Sequence, residues 1–211
     1  MAVVGIVPAA GSGERLGASG PKAFAMCGGR SLLDWSLEVL EAVCDRVVVA
    51  VPAGFEAEGR VLGGASRSQS VKLALAATPE ATIAVVHDAA RPLITRELVQ
   101  ECIDALEGWD GVVAAAPVPD TIKQADPSGR VVRTLDRSAL WAIQTPQVFI
   151  ADVLRRALDL GDSALAAATD DASLVEAAGG SVRVLEAPAE NIKVTRPVDL
   201  ALAEALLRAR C

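Results

Sequence analysis

A glycine-rich stretch that directly follows an apolar run carries the first candidate chemistry in this chain. Residues 3–7 read VVGIV, and residues 8–22 read PAAGSGERLGASGPK, with glycines at Gly11, Gly13 and Gly17. Glycines just after a strand allow the backbone to approach a phosphate group closely. Three kinds of site match this description: a dinucleotide-binding turn, a P-loop, and the loop of a nucleotide-transferring enzyme.

Spacing argues against two of these sites. The glycines follow GxGxxxG rather than the dinucleotide pattern GxGxxG, and the second apolar run ends in VAVPAG with no acidic residue before Glu56 to bind a ribose. No Gly-Lys-Ser/Thr closes the loop, as a P-loop requires. What remains is a glycine turn with two cations, Arg15 and Lys22. In an acidic chain these cations favour phosphate binding over the alternative of a merely structural turn.

A carboxylate and a guanidinium follow a later apolar run, in the stretch HDAARP (residues 87–92). Asp88 could hold a metal-bound phosphate or a substrate hydroxyl, and Arg91 could bind an anion. The alternative is an Asp88–Arg91 pair that caps the following turn. His87 is more typical of a packed residue than of a catalytic base, and without a GxSxG elbow a hydrolase triad has little support.

Other polar stretches could complete a phosphate site. TLDRSALW contains Arg137, and NIKVTRP contains Lys193 and Arg196. GGASRSQS (residues 63–70) offers backbone donors and hydroxyls before a helix, which suits the edge of a base or a ribose. The alternative for each isolated cation is a solvated surface position.

Alternating strands and helices must position these residues. Continuous apolar runs, typical of strands covered on both faces, occupy residues 3–7, 47–51, 83–86 and 112–116. Helical patterns occupy residues 32–43, 68–77, 95–106, 151–160, 170–178 and 197–208, and a further strand is predicted at 182–185. This order predicts a doubly wound α/β sheet, mostly parallel, which binds ligands at the carboxyl ends of its strands. Within residues 117–146, TIKQ and RVVRTL flank the turn signal ADPSGR, and this predicts a protruding hairpin that packs on another surface such as a second subunit.

Composition sets limits on the function. The 211 residues carry a net charge of −7, with 52% hydrophobic and 22% charged residues, and we expect one domain over residues 1–211. An acidic chain is a poor general nucleic-acid binder. No apolar run reaches the ~18 residues of a membrane span, and no secretory signal is evident, so we expect a cytoplasmic protein that binds neither membrane nor nucleic acid. Four cysteines without CxxC spacing and a single histidine predict free thiols rather than a zinc site.

Eight stretches, taken in order, resemble the 2-C-methyl-D-erythritol 4-phosphate cytidylyltransferase family of the non-mevalonate isoprenoid pathway. They are PAAGSGERLG, GPK, GGASRSQSV, VVHDAARP, APVPDTIK, TLDRSALWAIQTPQ, TDDAS and NIKVTRPVDLALAE, and they span residues 8–204. The resemblance implies a Rossmann-like nucleotidyltransferase fold that forms a homodimer through a β-arm within residues 117–146. It implies the reaction of CTP with methylerythritol 4-phosphate, with Mg²⁺, to give the CDP-alcohol and pyrophosphate.

The resemblance also implies roles for individual residues. Arg15 and Lys22 would stabilise the transition state, while Arg137 and Lys193 would position methylerythritol 4-phosphate. Thr121 on the arm matches a residue that reaches the partner subunit's substrate. The other substrate-binding positions would be Asp88, Arg91, Thr145 and Thr169, and the CTP-binding positions Ala9, Ala10, Gly11, Gly13, Gly64, Ser70 and Ala89. Mg²⁺ would be held mainly by the CTP phosphates, with no direct protein ligand other than Asp88 as a candidate.

Departures from the family pattern concern details of ribose and base contacts. The sequence has PKAF after the first loop, Ala65 where a polar residue is common and Gln69 where an acid is expected, and the segment 52–62 is short. Two alternatives stay open. One is a cytidylyltransferase for another polyol phosphate, such as ribitol 5-phosphate, and the other is a non-catalytic nucleotide-binding module.

Overall fold

A computed structural model describes residues 1–11 and 20–210, and its main feature is a sheet of seven strands. These strands are β1 (Val3–Pro8), β4 (Arg46–Val51), β5 (Arg60–Leu62), β6 (Ile83–Val86), β7 (Gly111–Pro117), β10 (Trp141–Ile150) and β11 (Val182–Glu186). A separate short pair, β2 (Met26–Cys27) and β3 (Arg30–Ser31), lies between the first loop and the first helix.

The seven strands lie side by side in the order β11-β7-β10-β6-β1-β4-β5. Among these described strands, only β10 is antiparallel to its neighbours. The predicted mostly parallel α/β sheet is therefore confirmed, whereas β5 and the long strand β10 were not predicted.

Seven α-helices in the described chain connect or cover these strands. They are α1 (Leu32–Glu41), α2 (Arg67–Ala76), α3 (Arg96–Asp104), α4 (Ala151–Ala157), α5 (Asp162–Ala167), α6 (Asp171–Ala177) and α7 (Pro197–Arg210). The six predicted helices are confirmed with small shifts at their ends, and α5 was not predicted. Side-chain caps explain several starts: the Ser31, Ser66 and Thr95 hydroxyls each accept a hydrogen bond from the backbone N–H three residues later. No helix of the described residues is long and apolar enough to cross a membrane.

Both faces of the sheet are buried, which explains the unbroken apolar runs. Val7 packs with α1 and α3 on one face, and Ile6 packs with α2 and α4 on the other, as the two-residue period of a strand requires. A smaller cluster, which includes Leu93, Val194 and Leu207, joins α7 and the segment before it to the loop after β6. The buried Val194 anchors the backbone next to Lys193 in this cluster.

The three cysteines among the described residues are part of the packed interior. The thiols of Cys27, Cys44 and Cys102 are buried and form no disulfide, as predicted, and Cys211 lies outside the described residues. Burial raises the pKa of the Cys44 and Cys102 thiols to about 12, so both stay protonated. These thiols therefore act as small apolar side chains of the core.

The predicted hairpin forms from two short strands, β8 (Lys123–Ala125) and β9 (Val131–Thr134), which pair only with each other in the described chain. Asp126 closes the turn by accepting hydrogen bonds from the Ser128 and Arg130 backbone N–H groups. Val131 and Val132 remain 54% and 62% exposed. We refer to residues 117–140, which contain this hairpin, as the arm. Its exposed apolar side chains are available to contact another protein surface.

Candidate active site

A cavity of about 560 Å³ opens at the carboxyl ends of β1 and β6, where the sheet topology predicts a ligand. Its wall combines the turn after β1, the start of α2, the loop after β6 and the segment before α7. The predicted site residues that line it are Ala9, Ala10, Gly11, Lys22, Gly64, Ser70, Asp88, Ala89 and Lys193. Tertiary structure thus brings together residues from both ends of the chain.

Small residues let two backbone turns approach each other at the floor of the cavity. A Cβ atom on Gly63 would lie 2.5 Å from the Ala10 Cβ, and one on Gly64 would lie 2.5 Å from the Gln69 Cβ. Ser70 stabilises this turn, because its hydroxyl donates to the Ser66 carbonyl at 2.9 Å and accepts from the Gly64 N–H at 3.1 Å. The floor is therefore built by backbone and glycine, and any larger side chain would displace it.

A chain of ion pairs crosses one wall of the cavity. Asp88 accepts from the Arg67 Nε at 2.9 Å through Oδ1 and from the Lys193 Nζ at 2.5 Å through Oδ2. Arg67 also donates through Nη1 to Asp171 Oδ2 at 2.6 Å. Burial raises the pKa of the Asp88 carboxyl, but the charges of Arg67 and Lys193 outweigh burial and hold that pKa well below its ordinary value. Asp88 is therefore an anion that orients two cations.

Arg67 was not among the predicted site residues. Burial lowers its pKa, but Asp171 and Asp88 outweigh burial and raise it, so Arg67 stays charged. The signal available in the sequence was an arginine between two serines in GGASRSQS, in a chain with net negative charge. That signal does not identify its carboxylate partners, which lie 21 and 104 residues further along the chain.

Arg91 and Thr145 lie behind the lining rather than on it. Arg91 is buried and donates through Nη1 to the Asn191 carbonyl at 2.7 Å. The alternative of a capping Asp88–Arg91 side-chain pair is wrong, because both Asp88 oxygens bond to other cations. The buried Thr145 hydroxyl accepts from the Asp88 N–H at 3.1 Å and contacts the His87 Nδ1 at 3.0 Å.

His87 is a packed residue, as predicted. Its side chain is fully buried, and burial lowers the pKa of the imidazole to about 4. The Nε2 atom lies 3.3 Å from the Arg91 carbonyl, so a neutral ring with its proton on Nε2 donates there and accepts the Thr145 hydroxyl at Nδ1. His87 therefore packs beneath the loop after β6, and its ring does not line the cavity.

Three predicted residues lie apart from the cavity wall that the described residues form. Thr121 and Arg137 are exposed on the arm, where the Arg137 Nη1 donates to the Pro119 carbonyl. Thr169 lies just before α6 and does not line the cavity. The predicted residues Gly13 and Arg15 lie outside the described residues. Among the described residues of one copy, Thr121 and Arg137 therefore do not line the cavity that Lys22 and Lys193 line.

Metal ligands are sparse in this region. The part of the chain that the structure describes contains no group of three or more His, Cys, Asp or Glu side chains able to hold a metal. The Asp88 carboxylate faces the cavity, but both of its oxygens accept hydrogen bonds from cations. A divalent cation would replace one of these pairs if it bound to Asp88.

Comparison with known proteins gives a consistent result. The family model described as 2-C-methyl-D-erythritol 4-phosphate cytidylyltransferase (IspD) matches residues 3–209. A protein of that name from Frankia casuarinae is 47% identical over 222 residues, which cover 99% of this chain and 82% of the relative. Its counterpart from Nocardia farcinica is 44% identical over 222 residues, which cover 99% of this chain and 95% of the relative.

Solved structures agree. The crystal structure of 2-C-methyl-D-erythritol 4-phosphate cytidylyltransferase from Thermus thermophilus superposes with a TM-score of 0.84 at 39% identity, and the match covers 99% of this chain and 100% of that one. This likeness confirms the predicted Rossmann-like nucleotidyltransferase fold with its mostly parallel sheet.

Proposed function

The chain belongs to the 2-C-methyl-D-erythritol 4-phosphate cytidylyltransferase family, and we propose which of its residues bind each substrate and which promote the reaction. The enzyme transfers a cytidylyl group from CTP to 2-C-methyl-D-erythritol 4-phosphate and releases pyrophosphate, in isoprenoid precursor biosynthesis. We treat residues 1–211 as one nucleotidyltransferase domain. The observation that carries the assignment of roles is one cavity at the carboxyl ends of β1 and β6, lined by both Lys22 and Lys193.

CTP occupies the side of the cavity that is built from small residues. The turn of Ala9, Ala10 and Gly11 and the turn at Gly64 present backbone groups at close range, and Ala89 adds little bulk. Ser70 contributes by holding the Gly64 turn, since its hydroxyl is already used by backbone groups. Gly13 belongs to the same proposed set. A nucleotide pressed against these turns places its phosphates near Lys22.

The chemistry needs charge neutralisation more than proton transfer. An oxygen of the methylerythritol phosphate forms a bond to the α-phosphorus of CTP, and the bond to the bridging oxygen breaks with its electron pair leaving on pyrophosphate. The attacking phosphate is already ionised, so no general base is required, which agrees with the buried, neutral His87. Lys22, together with Arg15, stabilises the charge that develops on the transferred phosphoryl group.

The second substrate lies on the Lys193 side. Asp88 holds Lys193 in place, and its carboxylate is also a candidate acceptor for a substrate hydroxyl. Arg91, Thr145 and Thr169 complete the proposed substrate-binding set. The first two act through contacts behind the wall, at Asn191 and Asp88.

Mg²⁺ fits this site chiefly as a cation that the nucleotide coordinates. The CTP phosphates would hold it, with Asp88 as the candidate protein ligand, and when bound it supplies positive charge that favours the departure of pyrophosphate. The Asp88 oxygens that already bond to Arg67 and Lys193 make a direct Mg²⁺ contact the less favoured arrangement.

The arm completes the site in a homodimer. Arg137 and Thr121 are exposed and lie outside the described cavity wall, and Val131 and Val132 of the same arm are also exposed. We place the arm of one copy over the cavity of the other, where Arg137 positions methylerythritol phosphate for attack. The buried free thiols suit a reducing compartment, and we assign the enzyme to the bacterial cytoplasm.

Product analysis tests this function directly. The full chain is incubated with CTP and Mg²⁺ and with either methylerythritol 4-phosphate or ribitol 5-phosphate, and pyrophosphate and the CDP-alcohol are measured. Preference for ribitol phosphate would establish the polyol-phosphate alternative. CTP binding without pyrophosphate release with either alcohol would support a non-catalytic nucleotide-binding module.

A lysine variant tests the proposed role of Lys22. Lys22→Ala is expected to keep measurable CTP binding while losing about 10²–10³-fold in pyrophosphate release. Lys72→Ala is the matched control, since Lys72 lies on the surface and pairs with Asp159. An unchanged release rate in Lys22→Ala would contradict the transition-state role.

A further inference from the structure

We propose that Asp171 is a positioning residue for the transfer reaction, acting through Arg67 on the Asp88–Lys193 pair. This inference rests on the proposed function of Lys193. Asp171 is fully buried at the start of α6 and lies outside the described wall of the cavity, so it reaches the substrates only through another side chain. That side chain is Arg67, which does line the cavity.

The contacts form one continuous series from α6 to the cavity. Asp171 Oδ2 accepts from Arg67 Nη1 at 2.6 Å, and Asp88 Oδ1 accepts from Arg67 Nε at 2.9 Å. The other Asp88 oxygen accepts from the Lys193 Nζ at 2.5 Å. Arg67 is thus held on two sides of its planar guanidinium by two carboxylates, a geometry that fixes its orientation as a single contact would not.

Asp171 itself is anchored in the core. Its backbone N–H donates to the Gln147 Oε1 at 3.2 Å, and Gln147 on β10 is almost fully buried. Asp170, the preceding residue, caps α6 by accepting from the Ser173 N–H at 3.0 Å and also accepts from the Gln147 Nε2 at 3.0 Å. The Asp171 carboxylate therefore has a position set by the sheet and by the helix, not by the cavity.

Stability alone does not account for a carboxylate at this place. Burial raises the pKa of Asp171, against the opposing effect of Arg67, so the ionised form is held there at a cost. Its Oδ1 atom is buried and has no hydrogen-bond partner among the described residues. Buried ion pairs are often replaceable by apolar residues without loss of stability. The gain that remains is the orientation of Arg67, and through Arg67 that of Asp88 and Lys193.

A double-mutant cycle tests the proposal. We measure kcat and KM for both substrates in Asp171→Asn, in Arg67→Ala and in the double variant. Asp171→Asn is expected to lower kcat/KM by on the order of 10²-fold, because a displacement of about 1 Å in a positioning group has that effect. If Asp171 acts through Arg67, Asp171→Asn should change kcat/KM by less than about 3-fold in the Arg67→Ala background.

Controls separate positioning from folding. Asp159→Asn removes an exposed carboxylate that pairs with Lys72, a residue of helix α2 like Arg67. This variant should leave both kcat and KM unchanged. A purely structural role would lower the melting temperature and the active fraction and leave KM unchanged. The proposal instead requires a raised KM for methylerythritol phosphate in the folded Asp171→Asn variant. If that variant shows no cooperative unfolding, the cycle is repeated with Asp171→Glu, which keeps the charge and moves it by one methylene.

The outcomes are distinct. Three results would each overturn the proposal. Asp171→Asn could lower kcat/KM as much in the Arg67→Ala background as in the native protein, it could leave the KM values unchanged, or it could raise the activity. If the unmodified chain releases no pyrophosphate with methylerythritol phosphate, the proposed function has failed before the cycle begins.

Discussion

Replacing Asp88 by asparagine gives the sharpest test of the charge arrangement in the cavity. The amide is nearly isosteric with the carboxylate, so the change removes a charge and leaves the packing intact. In the native protein the Asp88 side chain is only 11% exposed and accepts from both Arg67 and Lys193. The variant leaves these two cations beside each other without the anion between them.

The structure sets the size of the effect. A hydrogen bond to a charged group contributes about 1.5–3 kcal/mol when its partner stays buried. Arg67 keeps its pair with Asp171, and the Lys193 side chain is 44% exposed, so water replaces part of what Lys193 loses. We therefore expect a loss of about 2 kcal/mol in the free energy of unfolding. For a chain of this size the melting temperature should fall by about 4–8 °C.

The stabilisation by Asp88 should also depend on pH in a definite direction. The folded-state pKa of Asp88 lies below its ordinary value, so the stabilisation is complete above the unfolded-state pKa of about 3.9 and is lost as the pH falls towards the folded value. Urea unfolding of the native protein and of Asp88→Asn at fixed protein concentration measures the difference in their free energies of unfolding. The difference between them should be constant from pH 7 to about 5. Below about pH 3.9 it should shrink by about 1.4 kcal/mol per pH unit.

A control variant at an exposed ion pair shows which result would contradict this prediction. Asp159→Asn removes one carboxylate from an exposed pair with Lys72 and should change the free energy of unfolding by less than about 0.5 kcal/mol. Equal stability losses in Asp88→Asn and Asp159→Asn, or a difference that grows at acid pH, would show that the Asp88 carboxylate does not bear the charge interactions described here.

The arm, the histidine and the glycine floor each give one further prediction. Equal mixing of Arg137→Ala and Lys22→Ala chains should restore about a quarter of the active sites if the arm acts on the partner, since half of the dimers are mixed and one site in each is intact; no activity in demonstrated mixed dimers would place the site within one chain. Because burial lowers the pKa of His87 to about 4, the single imidazole resonance of the untagged chain should not titrate between about pH 5 and 8, and a midpoint near the ordinary value of about 6.5 in NMR would contradict the burial. Gly63→Ala would place a methyl group 2.5 Å from the Ala10 Cβ, so CTP affinity measured by calorimetry should fall by about 10-fold or more; native affinity would show that the floor yields.

Much of the fold could be predicted because its causes are local. Strands covered on both faces must be apolar at every position, so runs such as residues 83–86 identify parallel strands without knowledge of their partners. The arm turn was predictable because Asp126 closes it with its own neighbours and Gly129 takes a positive φ of 85°. The order of the motifs was sufficient to indicate the family.

The strand β10 escaped prediction for a physical reason. Its sequence, WAIQTPQVFI, contains Gln144, Thr145 and Gln147, polar residues that interrupt the continuous apolar run expected of a strand covered on both faces. All three are buried, and their hydrogen bonds go to distant groups, such as Asn191 for Gln144 and the backbone at Asp171 for Gln147. A buried polar side chain is acceptable only when such partners exist.

Residues of the site also differ in how far their partners lie along the chain. The order of the residues was enough to indicate which chemical groups were available: a glycine turn with cations, a carboxylate after a strand, and a lysine near the end of the chain. The folded chain shows in addition that Asp88 bonds to Arg67 and Lys193 rather than to Arg91, which is much nearer to it along the chain. The reason is that an ion pair depends on distance in space, and Asp171 joins Arg67 across 104 residues of chain.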